Sequence, residues 1–419
     1  MQRVTGLLLL ASFGVCAADT VSPELILVQR VRYHMGRMLT SLPNYTCLQT
    51  IERSERVSPR KKPTINDVVR IEVALLDGKE LFSWPGTGRF VDTEISQMVK
   101  GGAIGTGSFG LHARAVFMGA SAKYKYEGTE TYKGRNAHKW TFIVPQERSG
   151  YHVRDGINEA VVGYSGTFWV DVATLDALRL EVHADDIPSY MRLASTNDAV
   201  EYQRVRIGSE DFLLPAKSEL NMSDRSGNDN TNRTTFSQCR QYSGESRLIV
   251  DEDEVTAEAA AEPRQPERVM DAPPGLMLEL ALESEIKFRD AAVGDPITAI
   301  LQRPVKMGSG VVIAKGAVVH GRVTHIRRGM AGGRFPTIAT GVLLTEMEAP
   351  GWRIRLSAKL QSLTTASPDY LNSRLSGVTD SDSETITGSL IFVKEGTMQL
   401  RRGLRMNWMT RPVRNEDQQ

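Results

Sequence analysis

A few residue groupings in this chain have types and spacings that could do chemistry. Gly105-Thr-Gly107-Ser-Phe-Gly110 matches G-x-G-x-x-G, the spacing with which a strand-to-helix turn cradles a dinucleotide pyrophosphate on its backbone N–H groups. That turn needs a buried strand before it and an acidic residue about twenty positions on, at the end of a second apolar strand. Upstream here is "VDTEISQMVKGG", which is polar and reads as a short helix, and downstream is "YEGTETYKGR", alternating polar strand text. The glycines therefore need another purpose, and no cofactor is expected. Ser58-Pro-Arg-Lys61 has the S-x-x-K spacing of a serine acyl-transfer site but no companion motif. "GYSGTF" departs from the G-x-S-x-G elbow, and no carboxylate pair is singled out for glycoside hydrolysis. The seven histidines include no H-E-x-x-H. His320 and His325, five apart in strand-like text, should face opposite sides, so no metal site is expected. These residues point away from an enzyme, with a hydrolase as the weak alternative.

The three cysteines take their meaning from the N-terminus. "MQRVTGLLLLASFGVCAADT" has Arg3, a short apolar run and then small residues, the pattern of a secretory signal peptide cleaved after Ala17 or Ala18. A lipoprotein signal with Cys16 acylated is the rival, and Val15 is a poor residue before such a cysteine. No other segment approaches the twenty apolar residues of a membrane span. The expected location is the periplasm or the exterior, with outer-membrane association as an extension of that expectation. Cys47 and Cys239 remain after cleavage. In an oxidising compartment one disulfide is the simplest reading, and two separate buried thiols are the alternative.

The remaining text supplies the elements that must position these groups. The 419 residues are 41% apolar and 24% charged with net charge +1, so no basic field argues for nucleic acid. Ser22-Pro23-Glu24 is a helix start, and Leu27, Val31, Met35 and Met38 fall on one helical face before Pro43. Hairpin-like text follows, with turns at Asp77-Gly78, Lys133-Gly134-Arg135 and after Trp169-Val170. Residues 246–273 are acidic and rich in Ala and Pro, a linker that lets two domains move. A second all-β stretch follows, with a tight hairpin expected at Ala314-Lys315-Gly316 and a long polar surface loop at "TTASPDYLNSRLSGVTDSDSE". The expected fold is an α+β N-terminal domain, a curved antiparallel half-barrel with covering helices, followed by an all-β barrel or sandwich. The expected divisions are signal 1–18, first domain 19–245, linker 246–273, second domain 274–412 and polar tail 413–419.

The opening helix, "NYTCLQTIER" and "GTFWVDVATLDALRLEV" together resemble the LolA and RseB-like periplasmic lipoprotein-carrier fold over residues 23–243. In the last stretch Trp169, Asp171, Thr174 and Arg179 match a recurrent strand-turn-strand pattern of that superfamily. The chain departs from a simple carrier by an insertion around 85–120. Residues 274–410 resemble the TrbI-type β-barrel of conjugal-transfer and type IV secretion channels, with Gly294-Asp295, Lys315-Gly316 and Gly321 in the matching places. The membrane anchor and proline-rich segment of those channels are missing.

The carrier resemblance implies an apolar cavity that takes a lipid, an amphipathic ligand or a lipidated protein, and an envelope protein as partner of the whole. Residues 93–118 would then be two short helices joined by a loop over the cavity mouth, offering Phe109, Leu111, Val116 and Phe117 to one side. They form either a mobile lid over a ligand or a fixed plug that completes the core. Phe109, Leu111, Phe117, Trp84 and Trp140 are the candidate ligand contacts. An RseB-like regulator acting through a protein partner, or a scaffold without a ligand, are the alternatives.

Overall fold

The computed structural model describes residues 22–76, 79–92, 95–99, 102–156, 158–241, 268–308, 310–331, 335–363, 388–394 and 399–413. The expected signal peptide, the turn expected at Asp77-Gly78, most of the expected linker and the polar loop expected after residue 363 lie outside them.

Helix α1 is Pro23–Thr40, capped by the Ser22 hydroxyl, which accepts the Leu25 N–H at 3.2 Å. Its buried stripe is Val28, Val31, Met35 and Leu39, shifted from the Leu27–Met38 line that the sequence suggests. Strands β1 (Tyr45–Arg56), β2 (Thr64–Leu76) and β3 (Lys79–Ser83) follow, then two short helical pieces, α2 (Ile95–Met98) and α3 (Leu111–Ala113). The last runs into a π-helical turn, Arg114–Met118. The meander continues as β4 (Lys123–Tyr132), β5 (Arg135–Val144), β6 (Tyr151–Asp155), β7 (Asn158–Asp171), β8 (Ala177–Asp185), β9 (Leu193–Ile207), β10 (Glu210–Asp224) and β11 (Asp229–Gln241).

These strands form one sheet in the order β3-β2-β1-β11-β10-β9-β8-β7-β5-β4, with β6 paired to β7. The last strand thus returns to lie beside the first. Strand periodicity turns Trp140 and Phe142 of β5, Phe168 and Val170 of β7, and Leu180 and Val182 of β8 onto one face. There they pack with the α1 stripe and with Val116 and Phe117. A second cluster at the other end of the sheet joins Tyr45, Ile51, Ile71, Phe82 and Phe109. Cys47 and Cys239 are bonded across β1 and β11, with Cα atoms 4.1 Å apart, beside a bulge where Gln238 takes φ 50°.

The second unit begins at β12 (Arg268–Asp271), inside the stretch expected to be linker, because this strand pairs in parallel with β20. It continues with β13 (Met277–Leu282), β14 (Ile286–Lys287), β15 (Pro296–Leu301), β16 (Val305–Lys306), β17 (Val312–Ile313), β18 (Val318–Ala331), β19 (Phe335–Ala349), β20 (Trp352–Arg355), β21 (Ser357–Leu363), β22 (Ser389–Lys394), β23 (Gln399–Leu400) and β24 (Arg405–Arg411). The main sheet runs β12-β20-β19-β18-β15-β13-β24-β21, with β22 also on β19. Only Leu356 separates β20 from β21, which lies at the far end of the sheet. The Leu360 N–H donates to Ser389 Oγ at 3.0 Å and ties β21 to β22. The sheet packs around one apolar cluster that includes Leu280, Val319, Leu356 and Trp408. The hairpin expected at 314–316 is a correction. Gly316 does turn with φ 96°, but β17 before it pairs with β16, and β18 after it pairs with β15 and β19. The Gly316 N–H instead donates to the Leu301 carbonyl at 2.8 Å.

The two units touch through main chain. Val293 bridges Val69 of β2 in parallel, donating to the Val68 carbonyl at 2.8 Å and accepting from Arg70 N at 2.7 Å. The Arg70 guanidinium donates to both Asp295 oxygens at 2.8 Å and to the Asp290 carbonyl at 2.7 Å. Gly294 sits between them with φ 96°, and a Cβ there would lie 2.2 Å from the Arg70 carbonyl oxygen and 2.8 Å from the Trp84 ring. Freely moving domains were the expectation from composition. The structure instead clasps them at the Gly294-Asp295 pair.

Candidate functional site

The glycine segment lies against the concave face of the first sheet, and its backbone does bind an anion. The anion is the protein's own Glu80 carboxylate. Gly107 N donates to Oε2 at 3.0 Å, Gly110 N to Oε1 at 3.0 Å, and Leu111 N to Oε1 at 3.4 Å. Gly107 has φ 107°, and a Cβ on it would meet the His112 ring at 2.6 Å, so glycine alone lets the loop close on the imidazole. Burial pushes the Glu80 carboxyl above its ordinary value, against the pull of these N–H donors and of His112.

Beside this latch, Asp198 of β9 is 2% exposed. Its Oδ2 accepts the Ser108 hydroxyl at 2.8 Å and meets His112 Nε2 at 3.1 Å. A serine, a histidine and an aspartate are thus together, but the hydroxyl donates to the carboxylate instead of the imidazole. This is not the order in which a base activates a nucleophile. The His112 ring stacks on Tyr151 at 5.8 Å, and burial together with Asp198 pushes that phenol up to about 12. Burial likewise raises the phenols of Tyr45 and Tyr202 beyond their ordinary range. Tyr202 senses Asp198, Tyr45 and Glu80 electrostatically, so these groups form one polar seam between the two apolar clusters. Asp198 Oδ1, Trp140 Nε1 and Arg114 Nε are buried without a hydrogen-bond partner among the described residues. Among the described residues no group of His, Cys, Asp and Glu is arranged to hold a metal.

The five candidate contacts fall on both sides of this seam. Phe109 packs on Tyr45 and Phe236, with ring centroids 5.0 and 5.5 Å away. Phe117 packs edge-on against Phe168 at 5.1 Å, in the cluster that also holds Trp140. Leu111 is half-buried at the latch. Trp84 shares the Phe109 cluster but serves the clasp, where Arg322 of the second unit lies 4.8 Å over its ring. Phe109 and Phe117 are 3% and 1% exposed, so in this conformation the segment fills the space it was expected to cover. Trp169, Asp171, Thr174 and Arg179 are structural. Trp169 donates to Glu130, Asp171 Oδ1 caps the β7–β8 turn through Ala173 N and Thr174 N, and Arg179 pairs with Glu181. Glu80, Ser108, His112 and Asp198 gave no sequence signal as a group, since 118 residues separate the first from the last and only the fold gathers them.

No protein-family model matches the chain. No curated protein matches it. Among solved structures it is similar over 52% of its length to 94% of a domain from Vibrio parahaemolyticus named as an outer membrane lipoprotein-sorting protein, at 12% identity and a TM-score of 0.31. A DUF1329 family protein from Desulfovibrio piger matches over 53% of this chain and 94% of its own, at 11% identity and a TM-score of 0.29. A LolA superfamily protein from Nitrosomonas europaea matches over 54% and 97%, at 10% identity and a TM-score of 0.28. These matches lend no support to the TrbI-type resemblance of residues 274–410, and at such distance they say nothing of this chain's ligand.

Proposed function

We propose that the first unit is a non-enzymatic, carrier-type binding domain of an exported envelope protein. Its ligand is an amphipathic molecule or a lipidated partner that exchanges with the 102–119 segment. The second unit, which begins at β12, serves as the docking module. One observation carries the reading: the segment that fills the half-barrel is latched by charge. A permanent plug gains most from apolar contacts, because burying carboxylates costs free energy that their partners only partly return. A polar latch with the orphaned Asp198 Oδ1 beside it instead offers polar contacts to a headgroup, while the two aromatic clusters offer a chain its burial. Each buried methylene would contribute about 0.8 kcal/mol.

The test is uptake of a fluorescent fatty acid by the delipidated mature chain, with native mass spectrometry of protein taken from the periplasm. The proposal expects a co-purified amphiphile and uptake at least severalfold faster in Glu80→Gln, which weakens the latch. A bare mass with no uptake by either form would leave the scaffold reading, which the burial of Phe109 and Phe117 favours.

A further inference from the structure

Helix α1 turns Val28, Val31, Met35 and Leu39 into the half-barrel. At 3.6 residues per turn, Ile26, Arg30, Tyr33 and Arg37 form a line on its opposite face. Ile26 is 52% exposed and Tyr33 68%, with Leu25 on the flank at 49%. Among the described residues the guanidinium groups of Arg30 and Arg37 have no ion-pair or hydrogen-bond partner. In the same unit Arg53, Arg56, Arg135 and Arg204 are each paired with an aspartate.

Beside that line lies an open groove of about 360 Å³, lined by Arg30, Tyr33, His34, Arg37, Met38 and Leu175. Met38, Leu175 and the Tyr33 ring make it apolar, and the two arginines set its charge. The carboxylate behind it, Asp176, is already engaged. His34 Nε2 meets its Oδ1 at 2.8 Å, and Arg204 donates to Oδ1 and Oδ2 at 2.9 and 2.8 Å. Among the described residues, the groove lining holds no acid to oppose an anion. Glu24, in the first turn, is the acidic residue on the helix itself.

We propose that this face docks on the anionic headgroup layer of a phospholipid membrane. A headgroup phosphate would sit in the groove between Arg30 and Arg37, and Leu25, Ile26 and Tyr33 would enter the interfacial zone. A helix in that plane buries its apolar side chains while the arginine heads stay with the phosphates. The seven-residue step from Arg30 to Arg37 puts about 10.5 Å of helix between them, enough to bracket one headgroup. Apolar and basic residues alternate along one line, which suits a planar surface. The ligand space of the half-barrel lies on the other side of the helix, so this inference stands apart from the carrier reading.

The experiment is sedimentation of the full mature chain with vesicles of phosphatidylcholine, and with vesicles that are one third phosphatidylglycerol, at low and high salt. Binding to the anionic vesicles alone, reversed by salt, is expected. Arg30→Ala with Arg37→Ala should lower partitioning about tenfold or more, at about fivefold per charge, while Arg30→Lys with Arg37→Lys should retain most of it. Tyr33→Ser should weaken it by a few fold. All three sites are on the surface, so an unchanged melting curve accompanies the loss. Equal binding to neutral vesicles, or no effect of the double alanine change, would overturn the proposal. So would a protein that ignores vesicles but whose groove residues shift in NMR spectra with soluble short-chain phosphatidylglycerol, which would make the groove a site for one amphiphile. Retention of an acidic protein by this face without vesicle binding would overturn it too.

Discussion

The two units bury different chemistry. The second is an all-β unit whose buried polar residues, among those described, are the hydroxyl side chains Thr340, Ser357, Ser389 and Thr410. The first buries Arg53, Glu72, His112, Asp171, Asp176 and Asp198 as well. It also carries a cross-strand disulfide, a filled concave face and a latch. Buried charge is costly and is retained where it positions or switches something. A hydroxyl can be satisfied within a sheet at little cost. The difference fits the proposal above, in which the first unit handles the ligand.

Reduction should separate them most. The Cys47–Cys239 bond has a sequence separation of 192 residues, and in the chain-entropy model its loss costs about 5 kcal/mol. Calorimetry with and without reductant should show one transition falling steeply and the other fixed. If both fall together, the clasp makes the two units one cooperative body. Trp408→Ala reverses the pattern. It opens a cavity in the second unit's apolar cluster and should cost about 3–5 kcal/mol in the second transition alone. Gly294→Ala should act between the units. Its Cβ meets the Arg70 carbonyl oxygen at 2.2 Å, so about 2 kcal/mol of strain favours an open clasp. Small-angle scattering would record the larger radius of gyration, and an unchanged radius would show that the clasp yields elsewhere.

Acid should give the smallest separation. Burial raises the carboxyls of Asp171 and Asp176, but hydrogen bonds outweigh it and leave both below the ordinary range. Backbone N–H groups dominate at Asp171, and Arg204 and His34 at Asp176. At Asp229 the Ser223 and Arg56 bonds lead in the same direction. A depressed folded-state pKa stabilises above the unfolded value of about 3.9 and is lost as pH falls through the folded value. The first unit should therefore unfold first below about pH 4. Glu80, raised by burial, works with the opposite sign, and its contribution declines as pH climbs from its unfolded toward its folded value. Circular dichroism with one tryptophan reporter per unit would resolve the order.

What the sequence by itself determined is local and periodic. Ser22-Pro23-Glu24 starts α1 because capping and dipole effects act within one turn. Lys133-Gly134 turns β4 into β5 with φ 48° and 81° because a two-residue hairpin demands that geometry. Alternation along β5 turns Trp140 and Phe142 to one face, and the polar text before Gly105 lacks the buried strand that a dinucleotide turn needs. Only the tertiary structure decided what crosses the chain. It brought Glu80 to the Gly107 and Gly110 amides, His112 to Asp198, and Asp295 to Arg70, 225 residues away. The buried line on α1 also moved from Leu27 and Met38 to Val28 and Leu39, because two apolar faces competed and the sheet's curvature chose between them. Hydrogen bonds between distant residues have no period and no composition. They exist only once burial has removed the water that would otherwise satisfy each group alone.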